Sequence, residues 1–172
     1  MIGDRATWSG AMSVVALSGW LGAAILVASV VAPAAFAVLP TRSLAGALVG
    51  RVLPVVFYSG AAVGILAAAV GRTAPSSTAR QVAGALITVT CLVAQLLVAP
   101  RIERVRAGAG RPIDELAAGD ARRTDFGRLH AASVLLLGVA AMAGGAALVL
   151  TLRAMPVAGT SRELPNSLSS EH

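Results

Sequence analysis

The chain has 172 residues, of which 56% are hydrophobic and only 13% are charged. This composition lies outside the range of soluble globular proteins and indicates a protein embedded in a membrane. All 14 basic residues are arginines and the net charge is +6, but the arginines cluster where apolar stretches end, and no basic face is interleaved with aromatic side chains. The sequence therefore argues against nucleic-acid binding.

Four long uncharged stretches predict four transmembrane helices. A helix needs roughly 20 apolar residues to cross the hydrocarbon core of a bilayer. The stretch between Arg5 and Arg42 is the longest, and because it far exceeds the core of a signal peptide we expect it to be a retained helix. The predicted fold is an all-α integral membrane four-helix bundle made of two hairpins, with helices at about 12–39, 44–71, 80–106 and 124–152.

The distribution of arginines predicts the orientation. The connection 101–128 holds seven arginines and five acidic residues. With Arg42 and Arg51, its side of the membrane carries nine arginines against five on the other side. The positive-inside rule then places this connection in the cytoplasm of a bacterial inner membrane, with both termini outside. Residues 1–153 form the predicted transmembrane domain, and 154–172 form a polar C-terminal tail that has nothing to bury.

Glycines and prolines indicate where helices pack and bend. Two pairs of glycines are spaced four residues apart, which gives flat strips where another helix can approach closely. Prolines lack an N–H and distort a helix. The segment from Pro40 to Ser43 ends the first helix, and Ser43 is expected to cap the second. The candidate packing residues are Gly46, Gly50, Gly60 and Gly64, and the candidate kinks are Pro33 and Pro54.

A short internal repeat links the two hairpins. The tripeptide Val31-Ala32-Pro33 recurs as Val98-Ala99-Pro100, and Gly50-Arg51 recurs as Gly127-Arg128. Duplication of a hairpin would relate the two halves by an axis along the membrane normal.

Three polar residues within or beside the apolar spans are candidate binding residues. Arg51 lies at the edge of an apolar span, where it either snorkels to the headgroups or contacts an anion, a lipid headgroup or a partner. Gln95 either hydrogen-bonds a neighbouring helix or lines a ligand site. His130 either caps or hydrogen-bonds at the interface, or serves as a single axial ligand to a haem or pigment.

The remaining chemistry argues against an enzyme. No Asp or Glu lies inside an apolar span, which disfavours a carboxylate proton relay. The two histidines, His130 and His172, are too few for a histidine-rich metal site, and Cys91 has no neighbouring base on its helix. We therefore expect no catalytic residues, no bound metal and no cofactor.

A set of short fragments is distributed over most of the chain, up to about Leu152. The fragments are Val30-Val31-Ala32-Pro33, Phe36, Leu39-Pro40, Ala45-Gly46, Val49-Gly50, Pro100-Arg101-Ile102, Phe126, Leu129-His130 and Ser133-Val134. Together they resemble an uncharacterised four-helix membrane family that includes bacterial homologues of animal transmembrane protein 205. This resemblance implies a four-helix membrane protein without established enzymatic chemistry.

These observations favour a non-enzymatic structural or assembly subunit of a larger membrane complex, such as a respiratory or photosynthetic one. Its expected partners are membrane lipids and other integral membrane subunits. The alternative is a small transporter or a lipid-handling or small-molecule-handling protein that works alone, using Arg51, Gln95 and His130 around a cavity in the bundle.

Overall fold

The computed structural model describes residues 2–70 and 77–155. Nearly all of the predicted polar tail, 156–172, lies outside the described residues. Within the described part of the chain every regular element is helical. The elements are α1 (Ile2–Leu26), a π-helical turn (Val27–Val31), α2 (Ala32–Val38), α3 (Arg42–Val70), α4 (Ser77–Val93), a second π-helical turn (Ala94–Val98), α5 (Ala99–Ala109), a 3-10 turn (Ile113–Glu115) and α6 (Ala121–Ala154).

Four helical spans of the described chain are long and apolar enough to cross a membrane. They are Trp8–Val38, Arg42–Val70, Thr78–Ala109 and Ala121–Ala154. The predicted fold class is therefore confirmed: the protein is an all-α, four-helix integral membrane protein. Each span exceeds the roughly 20 residues that a crossing needs. In the third and fourth spans the excess includes charged helix ends, whereas Trp8–Val38 carries no charged residue.

Each helix of the bundle packs mainly against two neighbours. The α1 helix packs against α3 and α6, and α4 packs against the same two helices, so α1 and α4 lie at opposite corners. We call one end of the bundle, where α1 and α4 begin and α3 and α6 end, the Arg80 end. The opposite end, where α5 ends and α3 and α6 begin, is the Arg106 end.

The indole of Trp20 fills the centre of the bundle. Its Nε1 atom donates a hydrogen bond to the carbonyl oxygen of Val56 in α3, at 2.9 Å. Glycines make room for the ring: a Cβ atom on Gly60 would lie 2.7 Å from Nε1, and one on Gly144 would lie 3.0 Å from Cζ3. Cys91 of α4 borders the same space, at 2.8 Å from the Cβ position of Gly60. All four spans therefore meet around one buried aromatic side chain.

The two Val-Ala-Pro segments share one local structure. The N–H of Ala32 bonds the carbonyl of Val27, and the N–H of Ala99 bonds the carbonyl of Ala94, each five residues back. A proline follows directly in both cases, because the extra residue of a π turn relieves the clash between the proline ring and the preceding turn. Pro54, by contrast, lies inside the uninterrupted α-helix α3.

The helix caps differ from the prediction at one position. Thr41, rather than Ser43, caps α3, since its Oγ1 accepts a hydrogen bond from the N–H of Leu44 at 3.2 Å. The reason is that α3 begins at Arg42, which places Ser43 inside the helix. At the end of α5, Gly110 adopts a left-handed conformation with φ +66°, which favours glycine.

Candidate functional site

The Arg106 end is built around a guanidinium that lies on a glycine pair. A Cβ atom on Gly46 would lie 3.2 Å from Nη2 of Arg106, and one on Gly50 would lie 3.6 Å from Nη1. A larger residue at Gly46 would push the arginine away. The first predicted glycine strip of α3 therefore faces an arginine side chain of the same chain.

Arg106 also connects α5 to α6. Its Nη1 atom lies 3.3 Å from Oε1 of Glu103, one turn earlier. Its guanidinium lies 5.3 Å from the ring centroid of Phe126, a cation–π distance. The Phe126 ring in turn stacks on His130, with centroids 6.1 Å apart and an interplanar angle of 6°. The immediate neighbour of the exposed His130 is therefore an aromatic ring.

Further arginines fasten the connection between α5 and α6. Nη1 of Arg122 donates to the carbonyl of Gly108 at 3.0 Å, and Nη1 of Arg123 donates to the carbonyl of Leu116 at 2.9 Å. Asp120 caps α6 by accepting a hydrogen bond from the N–H of Arg122 at 2.8 Å. The two arginine bonds satisfy carbonyl oxygens at the ends of helical segments, and the Asp120 bond satisfies a free N–H. Together they hold the connection in place beside the bundle.

A shallow groove of about 400 Å³ lies between α5 and α6 at the same end. Three of its six lining residues are exposed arginines, and they are accompanied by a single carboxylate. Guanidinium groups at the edge of an apolar span attract anionic headgroups. The groove is lined by Arg101, Arg104, Val105, Asp125, Arg128 and Leu129.

The second predicted glycine strip lies inside the bundle. A Cβ atom on Gly64 would lie 2.7 Å from the carbonyl oxygen of Gly84 and 2.5 Å from Oγ1 of Thr88. Gly84 in turn faces the backbone of Ala68. The backbones of α3 and α4 therefore approach closely at this point, as small residues permit. Gly60, one turn away, accommodates Trp20.

The three predicted polar residues, Arg51, Gln95 and His130, lie on different elements. Arg51 is exposed on α3, and Gln95 is partly buried in the second π turn. The sequence predicts that Gln95 either hydrogen-bonds a neighbouring helix or lines a ligand site. Among the described hydrogen bonds, none joins its side chain to a neighbouring helix. The groove between α5 and α6 is lined by neither of them, nor by His130. No cluster of three or more potential metal ligands occurs in the described part of the chain.

Sequence reasoning missed Arg80 as a buried residue. The sequence places Arg80 at the start of the third predicted helix, at the edge of an apolar span, yet only 6% of its surface is exposed. Its position in the helical repeat carries the signal: Gly84, Ile87 and Cys91 follow it on one face, and all three are buried. Arg80 therefore belongs to the inner face of α4.

Together these features define a four-helix integral membrane bundle with an arginine-rich end and a glycine-based interior. No match was found among curated proteins or among solved structures. A family model does match: the chain belongs to the family described as "Domain of unknown function (DUF4149)", over residues 15–111. The match includes Arg80, Arg106 and both glycine pairs of α3, and it stops before α6.

Proposed function

We propose that this protein is a non-enzymatic subunit that assembles with other integral membrane proteins through the outer face of α1. This face consists of Val15, Ser18, Gly19, Gly22 and Leu26, all of which are exposed. It lies opposite the inner face, where Leu17, Trp20 and Ala24 are buried. The observation that carries the proposal is the presence of unfilled glycines on this outer face.

The first span is the least covered of the four. Only 17% of its apolar window is buried, against 28–39% for the other three. The first span therefore offers more uncovered helix surface to a further partner than any of the other three. The exposed area of α1 supports an interface in the plane of the membrane.

The residue types of this face also favour a helix partner over lipid. Nothing lies within 4 Å of a Cβ atom on Gly19 or Gly22. The exposed faces of α3 and α4 carry larger side chains such as Ile65 and Leu86, which suit contact with lipid tails. Small residues instead let the backbone of a neighbouring helix come close, which strengthens packing in a membrane.

The excess of arginine at the Arg106 end supports a bacterial inner-membrane orientation in which this end faces the cytoplasm. The kinship with bacterial homologues of transmembrane protein 205 is also a proposal, and it rests on sequence fragments such as Val31-Ala32-Pro33 and Pro100-Arg101-Ile102. In that orientation the connection 110–120 offers a charged docking surface to a partner in the cytoplasm.

Variants on the α1 face are expected to dissociate the complex. In a native gel of membranes extracted with mild detergent, the wild-type protein should co-migrate with other polypeptides in a band that survives a salt wash. Gly19→Leu and Gly22→Leu should shift the protein to the size of a monomer, because leucine holds the partner helix away.

The matched control is Gly138→Leu on α6, an exposed glycine with nothing within 4 Å of its Cβ position. It should leave the large band intact. A wild-type band of monomer size would contradict the proposal, and so would equal effects of the α1 and α6 variants.

The groove between α5 and α6 favours one alternative, a lipid-handling protein that works alone. Its three arginines would hold an anionic headgroup while the apolar outer surface contacts the acyl chains. In the same native gel, a wild-type band of monomer size that retains anionic phospholipid would support this alternative over the subunit.

A further inference from the structure

Arg80 is a buried cation for which the described residues supply no partner. Only 6% of its surface is exposed, and its Nε atom is fully buried without a hydrogen bond. No hydrogen bond or ion pair of this side chain occurs with any of the described residues. Buried charges in proteins are normally paired and hydrogen-bonded, so an unpaired one marks a position where a ligand or ion belongs.

Other polar groups lie at the same end of the bundle interior. Ser13 on the inner face of α1 is 2% exposed, and its Oγ atom is also buried without a hydrogen bond. Thr151 on the inner face of α6 is buried too, and its hydroxyl donates to the carbonyl of Ala147 at 2.7 Å. The inner faces of three helices therefore carry polar residues near the Arg80 end.

The helical register places Ser13 and Thr151 at one depth and Arg80 further out. Ser13 precedes Trp20 by seven residues and Thr151 follows Gly144 by seven, so each lies about 10 Å from the central layer. Arg80 precedes Cys91 by eleven residues, or about 16 Å, roughly one helical turn further out. Because α1 and α4 occupy opposite corners, Ser13 and Arg80 face the bundle axis from opposite sides.

The electrostatics at this end favour an anion. The acidic residues whose side chains the structure describes lie in α5, in the connection after it and at the start of α6, at the opposite end of the bundle. Arg80 lies in the first turn of α4, where the helix dipole adds further positive potential. Among the side chains that the structure describes, none at this end carries a negative charge.

We propose that the Arg80 end binds a phosphate group, either of a lipid headgroup or of free phosphate. The planar guanidinium of Arg80 matches two phosphate oxygens. Arg80 directly precedes the 20 uncharged residues 81–100, which places it near the depth of the lipid phosphates. This site is separate from the α1 outer face and does not depend on the proposed assembly.

The test uses the full chain in phosphate-free neutral detergent, with Arg101, Arg104 and Arg128 replaced by Gln to silence the groove. Inorganic phosphate is one probe, and dioctanoyl phosphatidic acid is the other, with dioctanoylglycerol as its phosphate-free control. At about 100 times Kd, the probe that binds should raise Tm by roughly 5 °C or more. A rise with phosphate identifies the free anion as ligand, and a rise with phosphatidic acid alone identifies the headgroup.

Arg80→Gln should abolish this rise. Arg80→Lys keeps the charge without the planar fork, and it should weaken binding by on the order of tenfold. The control Arg153→Gln removes an exposed arginine from the same end and should retain the full rise. Without probe, Arg80→Gln should melt no lower than its parent, because it removes an uncompensated buried charge.

Two results would overturn the proposal. One is the absence of any rise in Tm with either probe in the parent protein. The other is a rise in Tm of the same size in Arg80→Gln as in the parent, since Arg80 would then not contact the phosphate. If the glutamine variant does not fold, an undiminished rise in Arg80→Lys would overturn the proposal for the same reason.

Discussion

Trp20→Ala is expected to lower the free energy of unfolding by about 3–5 kcal/mol, the cost of removing a fully packed aromatic side chain. The indole lies between Gly60 and Gly144, two residues without side chains, so its removal leaves a cavity in the centre of the bundle. The substitution also removes the donor to the carbonyl of Val56. Unfolding in mixed micelles, followed by circular dichroism against increasing SDS, measures the difference.

The matched control for this substitution is Trp8→Ala, because Trp8 is 72% exposed. It should change the free energy of unfolding by less than about 1 kcal/mol. Trp20→Phe should lie between the two, since it keeps most of the ring but loses the hydrogen bond. Equal losses at Trp8 and Trp20 would show that Trp20 is not the centre of the bundle.

Gly64→Val is expected to cost about 3 kcal/mol, because two helix backbones touch at this glycine. A Cβ atom there would lie 2.7 Å from the carbonyl oxygen of Gly84. The backbone oxygen cannot rotate away, so α3 and α4 must separate. The same SDS titration should show this loss, and a cysteine pair across α3 and α4 should cross-link more slowly.

Gly138→Val is the control for this second prediction. Its Cβ position is open, and valine has a higher helix propensity than glycine, so stability should stay within about 0.5 kcal/mol or rise. A small effect at Gly64 would mean that α3 and α4 do not meet there.

The four membrane-spanning helices could be predicted from the sequence because their length and apolar composition are sufficient to identify them. Bilayer thickness sets the minimum length, and four uncharged stretches exceed it. The distortion at Pro33 was also accessible, since a proline without an N–H must disturb the turn before it. That the disturbance is a π turn, repeated before Pro100, could not be predicted, because a π turn is one of several local distortions that relieve the clash of a proline ring.

The contacts at both ends of the bundle were not accessible from the sequence. Gly46 and Gly50 have the spacing of a helix-packing strip, yet they face Arg106, which lies 60 and 56 residues away in sequence. The four-residue spacing of the glycines predicts a flat surface on α3, but it does not predict which residue packs against that surface. Arg80 had a readable signal in its spacing to Gly84 and Ile87, but its position at the edge of an uncharged stretch favoured an interfacial role.

The most direct test of the central claim, assembly through the outer face of α1, is site-specific photo-cross-linking in native membranes. A photoreactive residue at Ser18, on that face, should give a discrete adduct with another membrane polypeptide. The same residue at Met142, which is 78% exposed on α6, should label lipid only. Lipid labelling alone at both positions, or equal protein adducts at both, would contradict the account.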